Sequence, residues 1–114
     1  MKRGDIYWAD LRPRSGSEQT GRRPVIVVSH DAFNQTAGWR SIIVVPVSTS
    51  ERQAARGPTV VELPSSEALA KPSVAVCHQI TTIDRSKLSR RAGALPVSVL
   101  EAVEQALKAA MDLD

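Results

Sequence analysis

Two short β-branched runs constrain this chain most: Pro24-Val25-Ile26-Val27-Val28-Ser29 and Ser41-Ile42-Ile43-Val44-Val45-Pro46-Val47. Neither alternates apolar with polar, and neither is long enough for a buried helix. They therefore predict two central strands covered on both faces. Pro24 is tolerated as the first residue of its strand, and Pro46 predicts a bulge or an edge near the end of the other. Around them, Asp5-Ile6-Tyr7-Trp8-Ala9-Asp10 predicts a first strand with Ile6 and Trp8 on one face. Thr59–Leu63, Ser73–Ile80 and Leu88–Leu95 predict further short strands, and Asp31–Asn34 a helical turn.

The stretches between them are polar. Leu11 to Arg22 carries Pro13, Ser15, Gly16, Ser17, Gln19 and Gly21, a long loop, and Thr49 to Pro58 predicts a second one. The ending differs in kind. Pro96 sits where a helix would start, and Val99, Leu100, Val103, Leu107 and Met111 recur at helical spacing. Five or six strands with one terminal helix predict a mainly β fold, a strongly bent sheet closing into a small barrel with the helix packed on it.

A chain of 114 residues is the size of one domain, spanning 1–114, and can bury roughly two-thirds of its unfolded surface in one core. The single cysteine, Cys77, cannot form an intrachain disulfide and reads as a small core hydrophobe. The N-terminus lacks an apolar signal region, and no apolar run approaches the length of a membrane span. A cytoplasmic protein with no membrane partner is expected.

Charge is uneven. Lys plus Arg total 15 against 12 Asp plus Glu, but residues 95–114 hold one base and four acids. The remaining body therefore carries 14 bases and 8 acids, or +6. Eleven of the bases are arginine, whose planar fork matches phosphate bidentately. Solvated surface arginines explain this composition as well as a polyanion partner does.

The sequence contains no Gly-rich phosphate loop, paired cysteines or closely spaced histidines, so no metal and no cofactor are expected. His30 reads as a turn residue and His78 as a strand residue. What remains is Gly16-Ser17-Glu18-Gln19-Thr20-Gly21-Arg22-Arg23-Pro24, a polar loop that runs into a buried strand. An arginine at such a junction is anchored by the core beneath it, so its guanidinium can be aimed in advance at a phosphate. The hydroxyls of Ser48, Thr49 and Ser50 end the other buried run and face the same mouth if the two strands pair. Arg22 and Arg23 as a solvated pair, with Ser48 to Ser50 as a plain turn, is the competing reading.

Several motifs resemble the MazF/PemK toxin family, in order and at similar spacing. They are Arg3-Gly4-Asp5-Ile6-Tyr7-Trp8, Gly16-Ser17-Glu18-Gln19, Gly21, Arg23-Pro24-Val25, Val44-Val45-Pro46-Val47-Ser48, Gln79-Ile80 and Thr82-Ile83-Asp84. The similarity spans essentially the whole chain. It implies an SH3-like barrel of the CcdB/PemK type and the toxin of a type II toxin–antitoxin system. The implied activity is metal-independent, ribosome-independent and sequence-specific cleavage of single-stranded mRNA to a 2′,3′-cyclic phosphate and a 5′-hydroxyl, causing growth arrest.

The implied partners are a second copy, making a homodimer, and a cognate antitoxin with an acidic disordered segment. The family's catalytic arginine falls on Arg23, its catalytic threonine on Ser48 with Thr49 a neighbouring stand-in, and its loop carboxylate on Glu18. RNA contacts are expected from Ser17, Gln19, Thr20, Arg22, Thr49, Arg52, Arg56, His78 and Gln79, and Trp8 or Trp39 could stack on a base, although core packing suits both better. His78 stands where relatives often carry an acid. The alternatives are a CcdB-like poison of DNA gyrase, which shares the barrel, and a relative that binds RNA but cuts it weakly.

Overall fold

The computed structural model describes residues 1–12, 21–55 and 57–114. Seven strands form one antiparallel system: β1 (Asp5–Asp10), β2 (Arg22–Val27), β3 (Ser41–Ser48), β4 (Val60–Leu63), β5 (Ser73–Val76), β6 (Thr81–Asp84) and β7 (Leu88–Ala94). Helix α1 (Asp31–Asn34) follows β2, α2 (Glu51–Ala54) follows β3, and α3 (Val97–Met111) ends the chain. The strand order is β4-β5-β3-β2-β1-β7, with β6 also paired to β3.

Connectivity forces the sheet to curl. β6 lies on the edge of β3 and β7 on the edge of β1, yet only the 3-10 turn Arg85–Lys87 joins them. The edges of β6-β3-β2-β1-β7 must therefore meet at that turn, which makes a small barrel. Ala9, Leu11, Val25, Val27, Ile42, Val44 and Ile83 form one core within this curl, with Met1, Tyr7 and Leu88 packed against it. Outside it, Ile6, Ile26, Val45 and Val47 pack with Leu63, Leu69, Ala75 and Cys77 and with Val103, Ala106 and Leu107 of α3. The uninterrupted apolar runs are thus covered on both faces, as their composition requires. Each fully buried Val or Ile contributes about 1.5–3 kcal/mol.

Several expectations need correction. Among the described residues there are seven strands rather than five or six, because Thr81–Asp84 pairs with Ser41–Val44. Pro46 marks neither a bulge nor an edge. One side of β3 is paired to β6 through Val44 and to β5 from Val47, and Pro46, with no N–H to donate, lies in the gap between these partners. The Thr49–Pro58 loop contains α2, capped by the Ser50 hydroxyl accepting the Gln53 N–H, and a 3-10 turn at Gly57–Thr59. The expected strand through Ile80 ends at Val76, and Cys77–Gln79 is a 3-10 turn. On α3, Val103 and Leu107 are buried as predicted, whereas Met111 is 45% exposed at the helix end.

Gly4 shows how closely the helix sits. Its φ is +93°, and a Cβ there would lie 3.2 Å from Leu100 Cδ2. Its N–H donates to the Val27 carbonyl and its carbonyl accepts from Leu95, which links β1, β2 and the start of α3.

Candidate functional site

Both arginines at the loop–strand junction lie inside the ladder. Asp10 is opposite Arg22 and Ala9 opposite Arg23, and the Leu11 N–H donates to the Gly21 carbonyl just beyond. The strand expected to begin at Pro24 thus begins two residues earlier. Pleating sends neighbouring side chains to opposite faces, so Arg23 shares the face of Val25 and Val27, and Arg22 that of Pro24. Arg22 is exposed and its Nη2 donates to Ser89 Oγ at 3.2 Å, while Arg23 is half-buried.

β2 and β3 pair with Val25 opposite Pro46 and Val27 opposite Val44. Carried two residues toward the loop ends, that register sets Arg23 opposite Ser48 on the same face. Ser48 is 2% exposed and its Oγ accepts the Ser50 N–H at 3.0 Å. The oxygen is thereby pinned, and the hydroxyl hydrogen has no acceptor among the described residues. Thr49, one residue on, is exposed.

Two clefts open at this end. The first, about 300 Å³, is lined by Arg22, Arg23, Thr49 and Lys71, with Trp8, Pro24, Val47 and Leu69 as its apolar walls. The second, about 290 Å³, is lined by Ser48, Ser50, Glu51, Glu62 and Ser65. Thr49 and Ser73 border both. Arg22, Arg23 and Thr49 therefore line the first cleft and Ser48 and Thr49 the second, with Thr49 common to both. Lys71 was missed by sequence reasoning, since its segment between β4 and β5 has no periodic pattern to flag it.

Other candidates are not gathered. His78 stands in the 3-10 turn after β5, with its Nδ1 2.8 Å from Thr59 Oγ1. Thr59 precedes β4, whose Val60 pairs with Val76 at the far end of the hairpin from Ser73. His78 and Gln79 line neither cleft, and Arg52 on α2 is exposed outside both. Glu18, Ser17, Gln19, Thr20 and Arg56 lie outside the described residues.

Of the two tryptophans, Trp8 reaches the cleft and is partly exposed. Trp39 is not a core residue either: it is 41% exposed and stacked on Phe33 at 4.5 Å between ring centroids. It precedes Ser41, so the length of β3, roughly 20 Å, separates it from Ser48.

Much of the arginine content is structural. Arg85 donates to the carbonyls of Trp39, Phe33, Asn34 and Thr36 at 2.8–3.2 Å and so fixes the α1 turn. Arg3 pairs with Glu104 of α3 and Arg40 with Asp84. The Arg40 hydrogen bond holds the Asp84 carboxyl well below its usual range, and Arg12 likewise holds Asp10 down to about 2. His30 caps α1, its Nδ1 accepting the Ala32 N–H at 2.9 Å. Cys77 is fully buried, and burial pushes its thiol up to about 12, too high for a thiolate nucleophile at neutral pH. No group of three or more metal-ligand side chains occurs among the described residues. No described helix is long and apolar enough to cross a membrane.

A curled antiparallel barrel with a terminal helix on its flank and a cationic cleft at one rim is the architecture of a class of bacterial toxins. Crystalline MazF from Deinococcus radiodurans superposes with a TM-score of 0.80 at 28% identity, covering 99% of this chain and 97% of that one. An endoribonuclease in complex with its cognate antitoxin, from a mycobacterial species, gives 0.79 at 25% identity, covering 100% and 97%. The chain belongs to the PemK-like, MazF-like toxins of type II toxin–antitoxin systems, matching that family over residues 2–111. Similar relatives include Endoribonuclease MazF6 of Mycobacterium tuberculosis, 36% identical over 99% of this chain and 98% of its own length. Endoribonuclease EndoA of Bacillus subtilis is 36% identical over 99% and 96%.

Proposed function

We propose that this MazF-type toxin–antitoxin endoribonuclease cuts single-stranded mRNA in the cytoplasm at short specific sequences, without a metal and independently of the ribosome, and so arrests growth. The observation that carries the reading is Arg23, held in the β1–β2 ladder and lining a cleft that shares Thr49 with the Ser48 cleft. In the proposed reaction the ribose 2′-oxygen attacks the adjacent phosphorus and the bond to the 5′-oxygen of the next nucleotide breaks. A 2′,3′-cyclic phosphate results, and the departing 5′-oxygen takes a proton from water to give a 5′-hydroxyl. Negative charge grows on the non-bridging oxygens, where a pre-aimed guanidinium and a fixed hydroxyl donor act most strongly.

Arginine is a poor base because its guanidinium hardly deprotonates. The 2′-proton therefore falls to Glu18, to water or to the phosphate itself, since His78 lines neither cleft. Purified protein should cleave a long RNA in EDTA, at a limited set of single-stranded sites, leaving 5′-hydroxyl ends. Intact RNA in EDTA with cleavage restored by magnesium would overturn this chemistry.

The protein is proposed to act as a homodimer and to be neutralised by an acidic, disordered antitoxin segment laid over the cationic rim. Such a segment orders on binding, at the expense of part of its affinity. A solved relative bound to its cognate antitoxin and the +6 body charge support this. Amide exchange at residues 21–23 and 68–71 should slow in the neutral complex, and unchanged exchange at both would rule out direct occlusion.

A further inference from the structure

The Arg23 cleft does not end at Trp8. Trp8 also lines a third cleft, about 270 Å³, with Glu67, Ala68, Arg90, Arg91 and Ala92. Trp8 and Ala68 border both, so the two are adjoining compartments of one groove. Pro24, Trp8 and Arg90 stand opposite one another across β2, β1 and β7. Two strand spacings, about 9.5 Å, separate the Pro24 and Arg90 backbones, roughly the reach of a nucleotide or two.

The bases in this compartment are not equivalent. Arg91 Nε is 3.4 Å from Asp5 Oδ1 and is partly neutralised. Arg90 is exposed and has neither an ion-pair nor a hydrogen-bond partner among the described residues. Most of the other arginines described above are occupied by carbonyls or carboxylates, so an unengaged guanidinium beside a half-exposed indole stands out.

Resting on the reading of the Arg23 cleft as an RNA site, we infer that the β7 side of Trp8 is a second backbone subsite for single-stranded RNA. Arg90 holds a phosphate flanking the scissile one, and Trp8 offers its ring to the base between them. Base stacking on an aromatic surface combined with a cationic track is how single strands are held without reading their sequence. The subsite therefore adds affinity for longer substrates without reading their bases.

The test is equilibrium binding of 2′-O-methyl RNAs of mixed sequence, which cannot be cut by 2′-oxygen attack. One is a short oligomer able to fill only the Arg23 cleft, and the other is several nucleotides longer. The longer one should bind wild type more tightly, and Arg90→Ala should lose most of that gain. The slope of log affinity against log salt for the longer oligomer should fall by about 0.7, the signature of one lost phosphate contact. Lys108→Ala, the same charge change on α3, should keep the gain. Equal binding of the two oligomers by wild type, an undiminished gain in Arg90→Ala, or an equal loss in Lys108→Ala would overturn the subsite. Because no cleavage is needed, these outcomes are distinct from failure of the EDTA assay.

Discussion

Arg23→Lys is expected to be nearly as inactive as Arg23→Ala, although it keeps the charge. Arginine presents two parallel donors in a rigid plane, whereas lysine is a point charge on a flexible stem. Ladder pairing with Ala9 fixes where the Arg23 side chain starts, and the proposed role requires its fork to be aimed from there before substrate arrives. Losing one pre-aimed donor at a developing oxyanion costs about 10²- to 10³-fold in rate. Arg22 supplies the control. It lies on the opposite face of β2 and leans on Ser89, so Arg22→Lys should be mild, with an effect that shrinks at high salt. Single-turnover cleavage of one short RNA at two salt concentrations separates the cases. Most of the wild-type rate surviving in Arg23→Lys would reduce Arg23 to an electrostatic anchor.

Ser48→Ala is expected to lose about 10²-fold in single-turnover rate, and Thr49→Ala only a few-fold. The difference lies in preorganisation. Ser48 is buried, and its oxygen is held by the Ser50 N–H, so the remaining O–H has few directions to take. Thr49 is exposed beyond the strand end, and its rotation must be frozen on binding. Ser48→Ala also leaves the Ser50 N–H without its acceptor, so a loss of rate alone could come from a disturbed turn. Thermal unfolding of Ser48→Ala distinguishes the two, because a disturbed turn lowers the midpoint whereas loss of the donor alone leaves it near wild type. A stronger effect at Thr49 than at Ser48 would move the hydroxyl role to Thr49.

The continuous β-branched runs and the helical stripe before Met111 depend only on local spacing, so the two central strands and α3 are legible in the chain itself. The candidate site was legible in part for the same reason: a polar loop entering a buried strand anchors the residues at the junction, and Arg22 and Arg23 are the first two residues of β2. The specific Gly16–Pro24 block and its companions carried the family assignment, which 36% identity to curated relatives supports.

What the sequence did not determine is which side chains share a rim. β6 is only four residues long and three of them are polar, so it exists because Ile83 fits the barrel core and because β3 has an open edge there. His78 looked like a strand residue beside the site, but the strand stops at Val76 and the register carries His78 to the other end of the hairpin. Lys71 and Arg90 come from segments without any motif. They reach the groove because antiparallel pairing brings β7 beside β1 and the β4–β5 connection across Trp8. Local propensity is settled by near neighbours along the chain, whereas a cleft is made by residues tens of positions apart, and only the tertiary packing of the sheet decides which of them meet.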